Sequence, residues 1–128
     1  MAVHWQAREL ETPDDVWSFS DSRVIARDLV GHTVEAIDGR IGRVDDASGD
    51  TSSCCLVVAV GHLARRKVAI PAGFVSGIDE TSSKVYVNAT KEEIREAPEY
   101  EPIGLKLDDY KVTVARHYLR AQRYRADT

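Results

Sequence analysis

The chain has 128 residues, a length that favours a single domain able to bury a core without disulfides or metals. Its formal net charge of −4 argues against broad, sequence-independent binding to nucleic acid, although it is compatible with a local basic patch. No apolar run has the length of a membrane span, and residues 1–11 lack the apolar core of a signal peptide. We therefore expect a cytoplasmic protein that is not inserted in a membrane.

Residues 1–28 form an acidic segment with a loose pattern, which we interpret as an N-terminal arm. Its notable apolar side chains are aromatic: Trp5, Trp17 and Phe19. Large aromatic residues in a polar segment usually pack against other groups. We expect them to pack on the surface of the chain's own domain, and contact with a partner is the alternative.

Residues 29–98 carry the signals of a small β-barrel of about six strands. The pair Asp38-Gly39 lies between two apolar-rich runs and predicts a tight hairpin, because both residues tolerate positive φ. A polar loop is predicted over 45–53. The predicted strands cover 34–37, 40–44, 54–60, 66–70, 74–78 and 84–87.

The run 54–60 is the most informative segment of the sequence. Both of its alternating sets are apolar, one formed by Cys54, Leu56, Val58 and Val60 and the other by Cys55, Val57 and Ala59. A strand of this kind needs covering on both faces. One face of a barrel strand lies toward the interior, so a helix, a terminal arm or a second chain must cover the other. We interpret the two adjacent cysteines as small buried hydrophobic residues.

Two helices are predicted after the barrel. Thr90-Lys91-Glu92-Glu93 is a capping box and predicts a short helix that Pro98 ends. Residues 99–128 are interpreted as a linker followed by a basic amphipathic helix over 110–125. At 100° per residue, the apolar face of this helix is formed by Tyr110, Val114, Tyr118, Ala121 and Tyr124.

Five features follow one another within residues 28–100. They are Leu29-Val30-Gly31, Asp38-Gly39 with Ile41-Gly42-Arg43-Val44, the apolar strand 54–60, Val68-Ala69-Ile70-Pro71 with Phe74-Val75, and Ile78-Asp79 before Val85-Tyr86-Val87. In this order and spacing the chain resembles the PRC-barrel family, and residues 90–98 resemble the ending of its stand-alone bacterial members. The resemblance implies a non-enzymatic barrel that docks protein partners and often self-associates.

No catalytic constellation is visible in the sequence. His4, His32, His62 and His117 are widely separated, and the chain has no P-loop and no G-x-S-x-G motif. We therefore predict a non-enzymatic protein–protein interaction module that binds an unidentified protein partner and has no cofactor and no metal site.

The face of strand 54–60 that points away from the barrel interior, which we call its rear face, is apolar. This face predicts a homodimer, because two-fold pairing is the commonest way to cover such a surface. The predicted interface residues of the strand are Cys55, Val57 and Ala59. The helix residues Tyr110, Val114, Tyr118 and Ala121 either join them at the interface or cover the strand within one chain. The sequence leaves both arrangements open.

Two basic clusters lead to an alternative function. One is Arg65-Arg66-Lys67 in the barrel. The other is the C-terminal helix, which carries Lys111, Arg116, Arg120, Arg123 and Arg125 and has no acidic residue between positions 110 and 126. The candidate contacts for an anion or RNA are the three barrel residues together with Arg116, Arg120 and Arg123. Arginines interleaved with tyrosines are typical of contacts with RNA phosphates and bases. The alternative is a ribosome- or RNA-associated factor. We favour the interpretation in which the tyrosine face packs on the barrel and the arginines are solvated or meet acidic residues of the arm.

Overall fold

The structure is a computed structural model and describes residues 2–4, 16–17, 19, 24–49, 54–61, 63, 65–100 and 108–127. The described residues form a mixed sheet, two α-helices and short 3₁₀ turns, so the predicted mainly β class with a C-terminal helix is confirmed. The strands are β1 (Ala2–His4), β2 (Thr33–Ala36), β3 (Gly39–Gly49), β4 (Cys54–Val60), β5 (Arg66–Pro71), β6 (Val75–Asp79) and β7 (Lys84–Val87). The helices are α1 (Lys91–Arg95) and α2 (Asp108–Asp127).

The strands pair in the order β1-β6-β7-β2-β3-β4-β5. The pairing of β2 with β7 is parallel, and the other pairings are antiparallel. On the outer side of β5, Val68 bridges Glu99, and the amide of Tyr100 donates to the carbonyl of Lys67 at 2.8 Å. The chain that follows α1 therefore covers this edge of the sheet.

The predicted hairpin at Asp38-Gly39 connects β2 and β3. Ala36 pairs with Gly39, and Gly39 has a φ of 131°, which favours glycine. The Asp38 carboxylate accepts a hydrogen bond from the amide of Lys91 at 2.8 Å and thus fixes the hairpin to the start of α1. Farther along β3, a Cβ atom on Gly42 would collide with the carbonyl oxygen of Ala59, so only glycine fits there.

The predicted loop over 45–53 is wrong for residues 45–49, which belong to β3. They pair with the first half of β4, for example Ala47 with Leu56 and Gly49 with Cys54, after a bulge between Val44 and Asp46. The polar side chains of this segment are typical of a loop. Pairing with the apolar strand β4 nevertheless satisfies the hydrogen bonds of its backbone N–H and C=O groups. Residues 50–53 lie outside the described residues.

The N-terminal arm contributes to the domain. Val16 and Trp17 are buried in the hydrophobic core, and Phe19 packs against it. Val3 of β1 pairs with Ile78 of β6. The expectation that the aromatic residues pack on the chain's own domain is confirmed for Trp17 and Phe19, whereas Trp5 lies outside the described residues.

Helix α1 begins as its capping box predicts. The Thr90 hydroxyl accepts from the amide of Glu93 at 3.1 Å, and the Glu93 carboxylate accepts from the amide of Thr90 at 2.9 Å. These two bonds satisfy amides at the helix start that have no partner within the helix. They also fix the Glu93 side chain, which has a second contact described below.

Candidate interaction surface

The rear face of β4 is covered within a single chain. Cys55 and Val57 are each 1% exposed, and Ala59 is half-buried. Cys55 belongs to the same buried cluster as Val114 and Tyr118 of α2. Of the two arrangements left open by the sequence, this burial favours covering by the chain itself. The exposed apolar surface that motivated the homodimer is therefore not present at these residues.

Apolar contacts attach α2 to the sheet beside β5. Val114 and Tyr118 are fully buried, and the Tyr118 ring lies 5.3 Å from the Phe74 ring, centroid to centroid. The Tyr118 hydroxyl donates to the carbonyl of Ala69 at 2.9 Å. Burial raises the pKa of Tyr118 above its usual value, because the charged phenolate would be desolvated. Tyr110 is half-buried, and its hydroxyl donates to a main-chain carbonyl at 3.1 Å.

A polar site fixes the far end of α2. The Arg125 guanidinium contacts both carboxylate oxygens of Glu93, at 3.0 and 2.9 Å, and donates to the side chain and carbonyl of Asn88, at 3.2 and 2.8 Å. His117 Nε2 lies 2.6 Å from the carbonyl oxygen of Glu93. Sequence reasoning missed this site. The available signal was the seven-residue spacing of Arg125 from Tyr118, which places both on the same helix face.

The predicted apolar face of α2 needs one correction. Ala121 is half-buried as expected, but Tyr124 is 71% exposed. Tyr124 follows Tyr118 by six residues and therefore lies about 120° around the helix from it. Arg125, which follows Tyr118 by seven residues, lies on the attached side instead and contacts Glu93.

The three basic residues Arg65, Arg66 and Lys67 have different surroundings and do not form a single basic cluster. The Arg66 guanidinium donates to the carbonyls of Arg95 and Ala97, the latter at 2.6 Å, and so satisfies the end of α1. Lys67 Nζ lies 2.8 Å from the Asp45 carboxylate, and this hydrogen bond raises the pKa of Lys67. Arg65 is exposed. The predicted anion site at these residues therefore has two of its three cations bound to the chain itself.

The second basic cluster is presented outward. Arg116, Arg120 and Arg123 are all exposed on the side of α2 that faces away from the sheet, and we call them the arginine face. With a rise of 1.5 Å per residue, Arg116 and Arg123 lie about 10 Å apart along the axis. Within the described ranges, neither an ion pair nor a hydrogen bond of these three side chains is found.

An open groove of about 400 Å³ lies on the outer face of the sheet, lined by residues such as Glu35, Ile37, Tyr86 and Asn88. Its carboxylate, that of Glu35, forms an ion pair with Lys84 at 3.8 Å. The lining residues do not include an acid–base pair that could serve in catalysis. Among the residues that the structure describes, no cluster of three or more His, Cys, Asp and Glu side chains could hold a metal ion.

None of the described helices has the length and hydropathy needed to cross a lipid bilayer. In comparisons with known proteins, neither a family model nor a curated sequence matches the chain.

Proposed function

We propose that the chain is a non-enzymatic interaction module of the PRC-barrel type, which binds a protein partner in the bacterial cytoplasm through the arginine face of α2. The observation that carries this proposal is the combination of a firmly attached helix and three outward arginines. Arginine is enriched in protein interfaces, where its planar head group binds carboxylates with two hydrogen bonds.

The attachment of α2 supports this proposal. Tyr118 and Arg125 hold the helix at two places, through the Ala69 carbonyl and through Glu93. A surface that is fixed before binding loses little conformational entropy when a partner arrives. The arginine face is therefore suited to recognition without prior folding of the helix.

The spacing of the arginines is a second argument. Arg116 and Arg120 are four residues apart, and Arg120 and Arg123 are three apart, so like charges are neighbours on the helix surface. Such pairs destabilise a helix by a few tenths of a kcal/mol each. An acidic partner would convert this repulsion into attraction.

The RNA-associated alternative has less support. It relied on tyrosines that interleave with the arginines, but Tyr118 is buried against Phe74, and the Tyr110 hydroxyl is bonded to the chain itself. Of these tyrosines, Tyr124 alone is exposed. The arginines remain able to contact phosphates, so RNA binding is treated as an outcome of the experiment.

The experiment captures partners from a lysate of the source bacterium with the wild-type chain and with the variant R116E/R120E/R123E. The control variant R27E/R40E/R43E changes the net charge equally at three other exposed arginines. We expect the wild type and the control to retain the same proteins, with or without ribonuclease, and the first variant to lose them. Capture that survives in R116E/R120E/R123E, or that ribonuclease abolishes, contradicts the proposal.

A further inference from the structure

Strand β5 lies at one end of the sheet order, and the chain itself closes its outer edge. The carbonyl of Lys67 accepts from the amide of Tyr100. Two residues later, the carbonyl of Ala69 accepts from the Tyr118 hydroxyl of α2. The backbone groups of Lys67 and Ala69 therefore point away from β4, and without these contacts they would be open to pairing with another extended chain.

We propose that α2 is an autoinhibitory clamp, and that its detachment opens the edge of β5 for antiparallel pairing with β5 of a second copy of the chain. We call α2 together with residues 99–100 the edge clamp. In the closed state each chain satisfies the edge of its own β5. In the open state two chains satisfy each other's edges, and the arginine face has no part in the contact.

The segment of the edge clamp that pairs with β5 is short and is itself held by α2. Among the described residues, a single bridge, from Val68 to Glu99, joins this segment to the strand. The Tyr110 hydroxyl of α2 donates to the carbonyl of Glu99 at 3.1 Å. So short a strand pair is not stable without further contacts. Detachment of α2 removes the contacts of Tyr110 and Tyr118 together, so the edge opens as a unit.

Few buried side chains attach α2 to the rest of the chain. Among its described side chains, those of Val114 and Tyr118 are buried, whereas the others are half-buried or exposed. The far end is held by the polar contacts of Arg125 with Glu93 and Asn88. Local opening needs the least free energy where few apolar contacts are broken. Helix α2 can therefore open while the sheet, which carries most of the buried core, stays folded.

The sequence of β5 suits pairing with a second copy of itself. An antiparallel pair centred on Ala69 places Lys67 opposite the partner's Pro71, so the two ammonium groups stay apart. The amide of Lys67 then donates to the carbonyl of the partner's Pro71, which can accept although proline has no N–H. A pair centred on Lys67 would instead bring like charges directly opposite each other, which is unfavourable.

The test compares self-association of full-length chains by analytical ultracentrifugation over a series of concentrations. Y118F/R125A weakens the contacts of α2 with β5 and α1. Y124F/R123A is the matched control, because it makes the same two substitutions at exposed positions of the same helix. We expect the dimerisation constant of Y118F/R125A to exceed that of the wild type at least tenfold and that of the control to change less than twofold. Hydrogen exchange within α2 should be faster in Y118F/R125A alone.

A further substitution in the Y118F/R125A background identifies the surface that pairs. K67P removes an edge N–H that donates in the open state, and it keeps the carbonyl that accepts from Tyr100. Lys67 is exposed, and proline is tolerated at sheet edges. We expect K67P to return association to the wild-type level. K67A, which removes the ammonium group but keeps the N–H, should associate as strongly as Y118F/R125A does.

Circular dichroism establishes that each variant is folded. If Y118F/R125A does not fold, Y118F and R125A are measured singly, and each should associate more strongly than its matched control, Y124F or R123A. A folded Y118F/R125A chain that associates no more than the wild type overturns the inference, as does association that K67P leaves unchanged. Growth beyond a dimer also overturns it, because pairing about a two-fold axis closes with two copies.

Discussion

The hydroxyl of Tyr118 donates a hydrogen bond to the main-chain carbonyl of Ala69 across 2.9 Å, which joins the middle of α2 to the middle of β5. The carbonyl of Lys67, two residues earlier, accepts from the amide of Tyr100. Alternate carbonyls of β5 are thus bonded to α2 and to the segment after α1. These contacts cover an outer strand that would otherwise offer its edge to another chain.

Replacement of Tyr118 by phenylalanine should weaken this attachment. The variant keeps the buried ring but leaves the Ala69 carbonyl without its donor, which costs about 1–2 kcal/mol of unfolding free energy. Urea denaturation of Y118F measures the loss. The matched control is Y124F at the exposed tyrosine, which should change stability by less than about 0.5 kcal/mol. Equal stability of Y118F and the wild type would show that the bond contributes nothing.

The buried phenol also predicts a loss of stability at alkaline pH. Burial raises the pKa of Tyr118, so the folded chain keeps this proton where the unfolded chain, with a pKa of about 10, releases it. The stabilising effect is complete below pH 10 and declines above it by up to about 1.4 kcal/mol per pH unit. Unfolding free energies between pH 9 and 11 should fall more steeply for the wild type than for Y118F. Parallel curves would contradict the assignment to Tyr118.

The contact between Arg125 and Glu93 should be energetically coupled. Both side chains are mostly buried, at 25% and 15% exposure, and charge-assisted bonds of this kind are stronger than neutral ones. In a double-mutant cycle with R125A and E93Q we expect a coupling of about 1–2 kcal/mol. Glutamine keeps an oxygen that can accept from the Thr90 amide, so the cycle isolates the pair from the helix cap. R123A serves as the exposed control and should be nearly neutral.

Much of the fold was predictable because local chemistry decides it. Asp38-Gly39 permits the tight turn, Thr90 and Glu93 satisfy the amides at the start of α1, and the apolar run 54–60 must be covered on both faces. The extension of β3 over residues 45–49 was not predictable in this way. Its polar side chains are typical of a loop, and the segment is a strand because it pairs with β4.

Part of the candidate site was also predictable from local sequence patterns. Helical spacing alone places Arg116, Arg120 and Arg123 on one side of α2, and the structure has them exposed. The contacts of Arg66 and Arg125 join residues about 30 positions apart in sequence, so no local pattern reveals them. A basic residue near the C-terminus of a helix is also favourable because of the helix dipole alone. The sequence therefore offered no reason to expect a specific partner for Arg125.

A charge at Val57 should test whether the rear of β4 is covered within one chain. V57D places a carboxylate at a buried site, which costs several kcal/mol and should unfold the domain. V112D makes the same substitution at an exposed valine and should remain folded. Circular dichroism and light scattering compare the two. A V57D variant that stays folded, with half the mass of a dimeric wild type, would place Val57 in a subunit interface.

Homodimerisation itself stays a prediction, and light scattering of the wild-type chain measures it. The surface that motivated it is buried in one chain, and the arginine face repels a second copy of itself. A stable dimer would therefore have to use a surface other than these two. A dimer abolished by R116E/R120E/R123E would contradict the charge argument, because that variant removes the arginines that should oppose such a contact.

The narrow approach of β3 to β4 at Gly42 gives a final prediction. A Cβ atom there would collide with the main-chain oxygen of Ala59, and Arg43, the next residue, pairs with Ala59 in the ladder. Backbone atoms cannot move aside as a flexible side chain can, so G42A should cost about 3 kcal/mol. Urea denaturation measures the loss of unfolding free energy. Hydrogen exchange should be faster at the backbone amides of Val58 and Val60. R43A, an exposed control on the same strand, should change stability by less than about 0.5 kcal/mol. A G42A variant as stable as R43A would mean that the two strands lie farther apart than the structure places them.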